Sequence, residues 1–425
     1  MPLSDRDTVH IIGAGLAGLA AAVRLADGER KIIIHEATEY AGGRCRSYFD
    51  EATGMLIDNG THLVLSGNHA ARAFVRTIGA EAGLQGPEAA DFPFLDLATD
   101  KRWTLRFGSG LFPWWIFDKD RRVPETSAID YLPLARLMWP AADRPLGEVV
   151  ASAGPLYERL LTPFFLAALN IEPREASTKL AAALIRETGA LGGKACRPLM
   201  APDGIGNVFI EPALDYLQRR GVSVSFKHEL HGLGFDGGRV TALDFGGEAV
   251  ALSESDAVIL AVPAYTASRL LPDLQTPSAF RGIVNAHFRA DPPEAFPPML
   301  GIINGTCDWI FSTPGRVSVT ISDADRFMPL PREALAEKIW QEVAAVMKLP
   351  RELPPWQLVR ERRATFAATP EENARRPRAE TAWRNFFLAG DWTATGLPAT
   401  LEGAIRSGNR AAELVNGAGQ RRIAA

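Results

Sequence analysis

Three glycines near the start of the chain have the spacing of a turn that binds a dinucleotide. They form a G-x-G-x-x-G pattern, which follows the β-rich run Thr8–Ile12 and opens an alanine-rich helical segment. In such a turn the first glycine permits the bend, the second lets the backbone approach a pyrophosphate, and the third lets helix and strand pack closely. The helix start adds free N–H groups and the positive end of a dipole. We therefore expect the phosphates to contact Gly13, Ala14, Gly15, Leu16, Ala17 and Gly18.

A carboxylate follows where the ribose of a dinucleotide would lie. The apolar run KIIIHE predicts a second strand, and Glu36 at its end lies 21 residues after Gly15. A carboxylate at this position accepts hydrogen bonds from ribose hydroxyls, so we expect Glu36 and Ala37 to contact the ribose. Strand, glycine turn, helix, second strand and acid occur in the order of a Rossmann-like unit, which predicts an α/β fold. This pattern does not by itself separate NAD from FAD.

Two further motifs, one near each end of the chain, separate these cofactors. The segment EATEYAGGRCRS contains Gly43 and Arg44, and the segment FFLAGDWTATGLPATLEGAIRSG contains Gly390 and Asp391. Together they resemble the motifs of flavoproteins of the amine oxidase and phytoene desaturase superfamily. The resemblance implies FAD, with Arg44 beside the pyrophosphate and the flavin and with Asp391 facing the ribityl–phosphate part. No cysteine or histidine adjoins the second motif, so we expect FAD to be bound without a covalent link.

The same resemblance implies further contacts with the cofactor. The backbone of Leu230 would hold the adenine, and the loop IDNGTHLVLSG would run beside the isoalloxazine ring. A helix that begins near Thr400 would point its N-terminus at the pyrimidine end of the flavin, where the helix dipole stabilises the charge of a reduced flavin. The residues expected in these contacts are Gly60, Thr61, His62, Leu230, Gly390, Thr400 and Leu401.

The positions of these motifs predict a discontinuous FAD-binding domain. We expect a Rossmann-like domain of the glutathione-reductase type to comprise residues 1–65, 204–275 and 380–425. Residues 66–203 are largely helical in pattern, and residues 276–379 alternate strand-like runs with a helix. These two parts would form an inserted, mixed α+β substrate domain.

Segments spread over most of the chain resemble a narrower family. They include IDNGTHLVLSG, LPLARLMWP, LTPFFLAALNIEP and RERRATFAATP, and they resemble the squalene-associated FAD-dependent desaturases, the hydroxysqualene dehydroxylases of hopanoid biosynthesis. The resemblance implies that reduced FAD converts hydroxysqualene, a hydrophobic isoprenoid, to squalene with loss of water. It also implies upstream enzymes of squalene synthesis as partners.

Three other functions stay open at this point. The superfamily includes carotenoid desaturases and isomerases of the phytoene type. It also includes amine oxidases, although these commonly place an aromatic side chain where this chain has Thr400. The third alternative is a flavin-binding scaffold without turnover.

The loop beside the flavin contains the candidate catalytic residues. His62 can donate a proton near neutral pH, which would help a hydroxyl leave as water, and Asp58 can orient His62 or hold the loop. Asp58, Asn59 and Gly60 are equally consistent with a simple turn, and His62 with a flavin contact that transfers no proton. Asn170, in the apolar segment FFLAALNIEP, is a further polar candidate, which a hydrogen bond at a helix end explains equally well.

The composition argues against several classes of function. A formal charge of −4 on 425 residues gives no reason to expect nucleic acid. Cys45, Cys196 and Cys307 are far apart, and the seven histidines lack metal-ligand spacing, so we expect neither disulfides nor a metal. No signal-peptide pattern is present, and no uncharged apolar run approaches the ~20 residues of a membrane span, which favours a cytoplasmic protein.

One segment indicates contact with a membrane. Residues 101–140 contain four of the nine tryptophans and have seven lysines and arginines against four acidic residues. Within them the stretch SGLFPWWIFD is almost wholly apolar, and aromatic residues flanked by cations are typical of membrane interfaces. We expect Trp114 and Trp115 to border a membrane-facing tunnel mouth, with the protein peripherally bound to the inner face of the membrane. The alternative is that this aromatic pair belongs to the core.

Overall fold

The strands follow the apolar runs of the sequence. The computed structural model describes residues 7–108, 110 and 112–423. Ser109 and Leu111 of the aromatic stretch lie outside the described residues, as do residues 1–6 and 424–425 of the predicted FAD-binding domain. The described strands are β1 (Thr8–Ile12), β2 (Lys31–His35), β3 (Ser47–Asp50), β4 (Met55–Asp58), β5 (Val64–Leu65), β6 (Asp91–Asp96), β7 (Lys101–Arg106), β8 (Pro198–Leu199), β9 (Ser223–Ser225), β10 (Gly232–Asp236), β11 (Arg239–Asp244), β12 (Ala249–Ala251), β13 (Ala257–Leu260), β14 (Phe280–Phe288), β15 (Met299–Ile303), β16 (Trp309–Thr313), β17 (Arg316–Ile321), β18 (Trp356–Phe366) and β19 (Phe386–Leu388).

Helices connect and cover these strands. Within the described part of the chain, no helix combines the length and the apolar character needed to cross a bilayer. The helices are α1 (Leu16–Leu25), α2 (His69–Thr77), α3 (Leu132–Leu137), α4 (Thr162–Leu169), α5 (Thr178–Glu187), α6 (Gly193–Cys196), α7 (Gly206–Phe209), α8 (Glu211–Gln218), α9 (Ala264–Leu270), α10 (Arg332–Met347), α11 (Pro370–Ala374) and α12 (Leu401–Ile423).

Five strands form a parallel sheet in the order β19-β13-β1-β2-β9. Burial is complete or nearly so in β1, β13 and β19, as their apolar runs require, and it is lower in the edge strand β9. The helices α1 and α12 pack on one face, and the three-stranded sheet β10-β11-β12 packs on the other. The parallel register places the ends of β1, β13 and β2 side by side, since Ile12 pairs with both Leu260 and His35. The predicted α/β, Rossmann-like class is confirmed, and the glycine turn lies at the carboxyl edge of the sheet.

The C-terminal helix lies against the helix that follows the glycine turn. A Cβ atom on Gly408 of α12 would lie 2.1 Å from the carbonyl oxygen of Ala17 in α1, so only glycine fits there. This close approach brings the segment before α12, which contains Gly390 and Asp391, to the same edge of the sheet as the glycine turn.

A seven-stranded sheet forms the second layer system, in the order β18-β14-β17-β16-β15-β6-β7. Its pairs are antiparallel except for the parallel pair β15–β6. The helix α10 covers one face of it, with Trp340 almost completely buried in that core. The strands predicted within residues 276–379 are observed as β14 to β17. All five strands of the parallel sheet lie within residues 1–65, 204–275 and 380–425, while the limits of the two domains stay predictions.

The paired tryptophans of the aromatic stretch differ sharply in burial. Trp115 is 8% exposed and packs edge-on against Phe107 and Tyr131, whereas Trp114 is 70% exposed. The prediction that both side chains border a membrane-facing tunnel mouth is therefore wrong for Trp115, which belongs to the core as the alternative had it. The reason is local: Trp114–Phe117 is a turn of 3₁₀-helix, in which successive side chains are about 120° apart because one turn takes about three residues.

Exposed apolar side chains nevertheless concentrate in residues 112–139, the segment that contains Trp114. The ring of Trp114 contacts those of Phe112 and Phe117, with centroids 4.4 and 6.1 Å away. We call the whole group the apolar patch; its members, each more than half exposed, are Phe112, Trp114, Phe117, Ile129, Leu132 and Trp139.

Replacing the two tryptophans separately is expected to have very different effects. Trp115→Ala removes a buried indole and should cost about 3–5 kcal/mol of stability, whereas Trp114→Ala should change stability by less than about 0.5 kcal/mol. Thermal denaturation of the two variants beside the unaltered protein measures this. Equal shifts of Tm for both variants would contradict the burial of Trp115 and the exposure of Trp114.

Candidate functional site

The three glycines of the N-terminal turn serve three different purposes. Gly13 has φ = +107°, and a Cβ atom there would lie 2.6 Å from the carbonyl oxygen of Ala261. A Cβ on Gly18 would lie 2.0 Å from the carbonyl oxygen of Gly13, where α1 packs on β1. A Cβ on Gly15, in contrast, would meet no atom within 4 Å. Gly15 thus borders open space beside the start of α1, as a cradle for a pyrophosphate requires.

Glu36 ties the glycine turn to the end of β2. Its carboxylate accepts a hydrogen bond from the backbone N–H of Ala14 (2.8 Å) and another from that of Thr38 (3.0 Å). A carboxylate has about four acceptor positions, so one that is held in this way can still accept from a ribose hydroxyl. Ribose contact by Glu36 and Ala37 stays a prediction.

The motifs from the two ends of the chain meet at an ion pair. Arg44 donates to the carboxylate of Asp391 over 2.8 Å, and it also donates to the carbonyl oxygen of Ala364 at 2.5 Å. Burial disfavours the guanidinium charge, but the charge of Asp391 and the hydrogen bond to it, together with the charge of Glu361, outweigh burial and raise the pKa of Arg44. Gly43 stands against the glycine turn, since a Cβ on it would lie 3.8 Å from the Cα of Gly15. The structure therefore brings Gly15, Gly43, Arg44 and Asp391 together, as FAD binding requires.

A buried arginine that the sequence did not reveal supports this ion pair. Arg376 donates to the backbone carbonyl oxygens of Asp391 (3.1 Å) and Thr393, and burial lowers its pKa to about 10. Gly390 itself has φ = +144°, a conformation that favours glycine. Arg376 stands in the charged run ENARRPRAE, which has neither motif spacing nor apolar periodicity, so no sequence signal distinguished it from a surface arginine.

The start of α12 is capped and anchored. The side-chain oxygen of Thr400 accepts a hydrogen bond from the backbone N–H of Gly403 at 3.1 Å, and Leu401 is the first helical residue. Glu402, buried beside them, accepts from the backbone N–H groups of Ala70 (3.0 Å) and Ala71 (2.8 Å). The N-terminus of α12 is thus fixed against the start of α2, and its contact with the flavin stays a prediction.

The segment expected to hold the adenine is attached to β2. The backbone N–H of His228 donates to the carbonyl oxygen of Glu36 over 2.9 Å, and Leu230, two residues on, is buried. A chain of imidazoles reinforces this attachment, since His35 lies 3.0 Å from His10 and 2.9 Å from His228 between ring nitrogens. Burial, with the neighbouring imidazoles, lowers the pKa of His35 to about 3, so this ring is neutral at physiological pH. Leu230 therefore lies near the ribose end of the expected site.

Asp58 fixes its loop through hydrogen bonds to neighbouring segments. One oxygen of its buried carboxylate accepts from the hydroxyl of Ser47 (2.5 Å) and from the backbone N–H of Ile205 (2.9 Å). Its own carbonyl oxygen lies 3.0 Å from Nε2 of His287. Of the two roles expected for Asp58, these contacts match that of fixing the loop.

His62 lies at the end of this loop with one ring nitrogen fixed. Its Nδ1 lies 2.6 Å from the carbonyl oxygen of Gly60, and since a carbonyl only accepts, Nδ1 carries the hydrogen. Nε2 is left for another partner. The adjacent Thr61 donates its backbone N–H to the side chain of Asn285 at 3.2 Å, and its buried hydroxyl has no hydrogen-bond partner among the described residues.

A cavity of about 440 Å³ opens beside His62. Its lining is largely apolar and comes from the loop of His62, the segment before α7 and the seven-stranded sheet. The lining includes Thr61, His62, Met200, Pro298, Phe311 and Arg316. A lining with more apolar than polar surface, and with polar groups among it, suits a largely apolar ligand.

Asn170 serves the fold instead of a reaction. It ends α4 with φ = +53°, and its amide donates to Thr365 (2.9 Å) and accepts from the backbone N–H of Asp323 (2.7 Å). The helix-end explanation of this residue is the one that the structure bears out.

The parallel sheet, the open glycine turn and the ion pair of Arg44 with Asp391 define a flavin-dependent oxidoreductase. The family model of flavin-containing amine oxidoreductases matches residues 16–416. The chain is 56% identical to a hydroxysqualene dehydroxylase of Rhodopseudomonas palustris, over 97% of this chain and 99% of the relative. It is 53% identical to one of Sinorhizobium fredii, over 96% and 97%. The chain therefore belongs to the flavin-containing amine oxidoreductases and, within them, to the hydroxysqualene dehydroxylase family.

The fold of this chain is also found among solved structures. Cyclohexylamine oxidase from Brevibacterium oxydans superposes with a TM-score of 0.72 at 15% identity, covering 98% of this chain and all of the other. At this identity the likeness shows the fold alone. FAD is the cofactor of this chain, and the expectation of a flavoprotein is confirmed.

Filling the cradle at Gly15 tests the cofactor site directly. A Cβ atom at Gly15 meets no atom within 4 Å, so Gly15→Val should fold, but its side chain should occupy the space of the pyrophosphate and abolish FAD binding. Flavin absorbance of the purified protein and reconstitution with added FAD measure this. Gly417→Val in α12, which likewise meets nothing within 4 Å, is the matched control and should stay yellow. A yellow Gly15→Val protein would place the cofactor elsewhere.

Proposed function

We propose that this chain reduces hydroxysqualene to squalene with electrons from FAD, as a step of squalene and hopanoid biosynthesis. The observation that carries the proposal is the 56% identity, over nearly the whole chain, to a protein named hydroxysqualene dehydroxylase. The convergence of Gly15, Arg44 and Asp391 supports it, since this chemistry requires a flavin. The largely apolar cavity beside His62 supports it as well, because an isoprenoid substrate requires such a lining.

The reaction is a two-electron reduction in which a hydroxyl is replaced by hydrogen. The residues that would hold FAD are Gly15, Arg44 and Asp391, and the reduced cofactor would supply the two electrons of this reduction as a hydride. The carbon–oxygen bond of the substrate breaks, and the leaving oxygen takes up a proton and departs as water. The protein must hold the reacting carbon, exclude bulk water and deliver that proton.

His62 is the proton donor in this proposal, and Asp58 fixes the loop that contains His62 through its bonds to Ser47 and Ile205. Since Nδ1 is held by Gly60, a proton for the substrate would leave from Nε2. Burial lowers the pKa of His62, and the charge of Asp58 and the bond to Gly60 only partly oppose this shift. His62 is therefore mostly neutral at pH 7, and it must be protonated before it can donate.

A single-turnover experiment without oxygen tests the overall reaction. Photoreduced enzyme mixed with hydroxysqualene should form squalene and oxidised flavin in equal amounts. Oxidation of an amine in air, with no squalene formed in the anaerobic experiment, would assign the chain to the amine oxidases instead. A flavin that stays reduced with every substrate would identify a scaffold.

The protonation of His62 predicts a pH dependence. Because its pKa lies below the usual 6.5, the protonated fraction should grow as the pH falls from about 8 to about 6, and the rate of flavin reoxidation should rise with it. His62→Gln should lower this rate by about 10²–10⁴-fold at unchanged FAD content and remove the rise. Stopped-flow absorbance of the flavin measures both. A variant with the unaltered rate and profile would remove His62 from the mechanism.

We also propose that the protein works at the inner face of the cytoplasmic membrane. Transfer of a hydrocarbon of about thirty carbons from a bilayer to water would cost on the order of 20 kcal/mol of free energy, at ~0.8 kcal/mol for each CH₂ equivalent. Free diffusion of the substrate through water is therefore negligible. The apolar patch around Trp114 supports the proposal, since exposed aromatic residues are typical of proteins that lie in a membrane interface.

A further inference from the structure

A second cavity, of about 520 Å³, lies beside the edge strand β7. It shares no lining residue with the cavity beside His62. Its apolar wall includes Phe94 and Trp103, whose rings stack with centroids 5.6 Å apart. The indole nitrogen of Trp103 is buried and has no hydrogen-bond partner among the described residues. Nothing in the proposed reaction uses this cavity.

The rim of this cavity is strongly basic. Four of its lining residues are cations, namely Arg102, Arg106, Lys119 and Arg122, and one, Asp120, is an anion. Arg106 pairs with the exposed Asp91, 3.6 Å away. Arg102 and Lys119 form no ion pair or side-chain hydrogen bond within the described part of the chain. Exposed cations that share one cavity without partners favour binding of an anion.

Residues that line this cavity and residues of the apolar patch are close together in the chain. Lys119 and Arg122 follow the turn Trp114–Phe117 directly, and Arg122 donates to the carbonyl oxygen of Ile116 in that turn over 3.2 Å. An anion held by Arg122 would therefore lie beside the turn that contains Trp114. A phospholipid at a bilayer surface has this arrangement, since its phosphate lies directly above its acyl chains.

We propose that this cavity, named here the basic cavity, binds the phosphate of an anionic phospholipid headgroup while the apolar patch enters the bilayer. The inference rests on the membrane part of the proposed function and adds to it a lipid class and a site. A free phosphate ion would satisfy the cations as well, but it would leave the neighbouring apolar patch unused. Three cations of the lining, Arg102, Lys119 and Arg122, have no ion-pair partner among the described residues, against one carboxylate, that of Asp120.

Vesicle flotation of the FAD-loaded protein tests the inference. Vesicles of phosphatidylcholine alone are compared with vesicles that also contain phosphatidylglycerol. The double variant Arg102→Gln with Lys119→Gln should bind the anionic vesicles about 30-fold less tightly, since each cation near such a surface contributes about fivefold. Its binding to neutral vesicles should not change. Trp114→Ser should weaken binding to both kinds of vesicle.

A matched pair of exposed cations provides the control. Lys348 and Arg351 precede β18, the opposite edge of the seven-stranded sheet from β7, and Lys348→Gln with Arg351→Gln removes the same charge. This control should bind anionic vesicles as the unaltered protein does. An equal loss of binding to anionic vesicles in both double variants would show that binding depends on net charge alone, and it would overturn the proposed site.

Two further outcomes would also overturn it. Equal binding of the unaltered protein to neutral and anionic vesicles would exclude headgroup recognition. Displacement from anionic vesicles by inorganic phosphate, at constant ionic strength and with direct binding of phosphate, would assign the cavity to a small soluble anion. No substrate enters these measurements, so failure of the hydroxysqualene reaction and failure of the lipid site are distinguished.

Discussion

Arg44 and Asp391 are 347 positions apart in the chain, and the ion pair between them requires almost every other feature of the cofactor site. Asp391 reaches Arg44 only because β19 extends the parallel sheet beside β13 and because α12 lies close against α1. The carboxylate of Asp391 is 9% exposed, and a carboxylate so far from water needs a cation to remain charged. Arg44 also contacts Ala364 at the end of β18, so a single guanidinium joins the parallel sheet to the seven-stranded sheet.

Much of this arrangement could be predicted because it depends on local backbone geometry. The turn at Gly13 requires a positive φ and the contact at Gly18 requires the absence of a side chain, so both requirements are visible in the sequence. The strand Thr8–Ile12 was predicted with the bounds that it has in the structure. Gly390 and Asp391 were predicted from a resemblance, because nothing in their own spacing indicates a partner 347 residues away.

Other features could not be predicted because they depend on contacts between distant segments. Arg376 is buried only once α11 and the segment of Asp391 are in place, and in sequence it is one arginine in a charged run. Asp58 is bound to Ile205, 147 positions away, a contact that no local pattern encodes. The different burial of Trp114 and Trp115 follows from a short 3₁₀ turn. The sequence there is consistent both with two exposed tryptophans and with two buried ones.

The charge of the whole chain and the charge of the basic cavity have opposite signs, and the distance over which charges act decides which matters at a membrane. The net charge is −4, so at long range an anionic bilayer would repel the protein weakly. At physiological salt, however, exposed charges are screened beyond about 8 Å, so only charges on the face in contact with the bilayer interact with its headgroups. The face of Arg102, Lys119 and the apolar patch is attracted, whereas acidic faces are not. The same charge distribution that permits binding thus also selects one orientation, and in it the patch beside Trp114 enters the layer that holds an isoprenoid substrate.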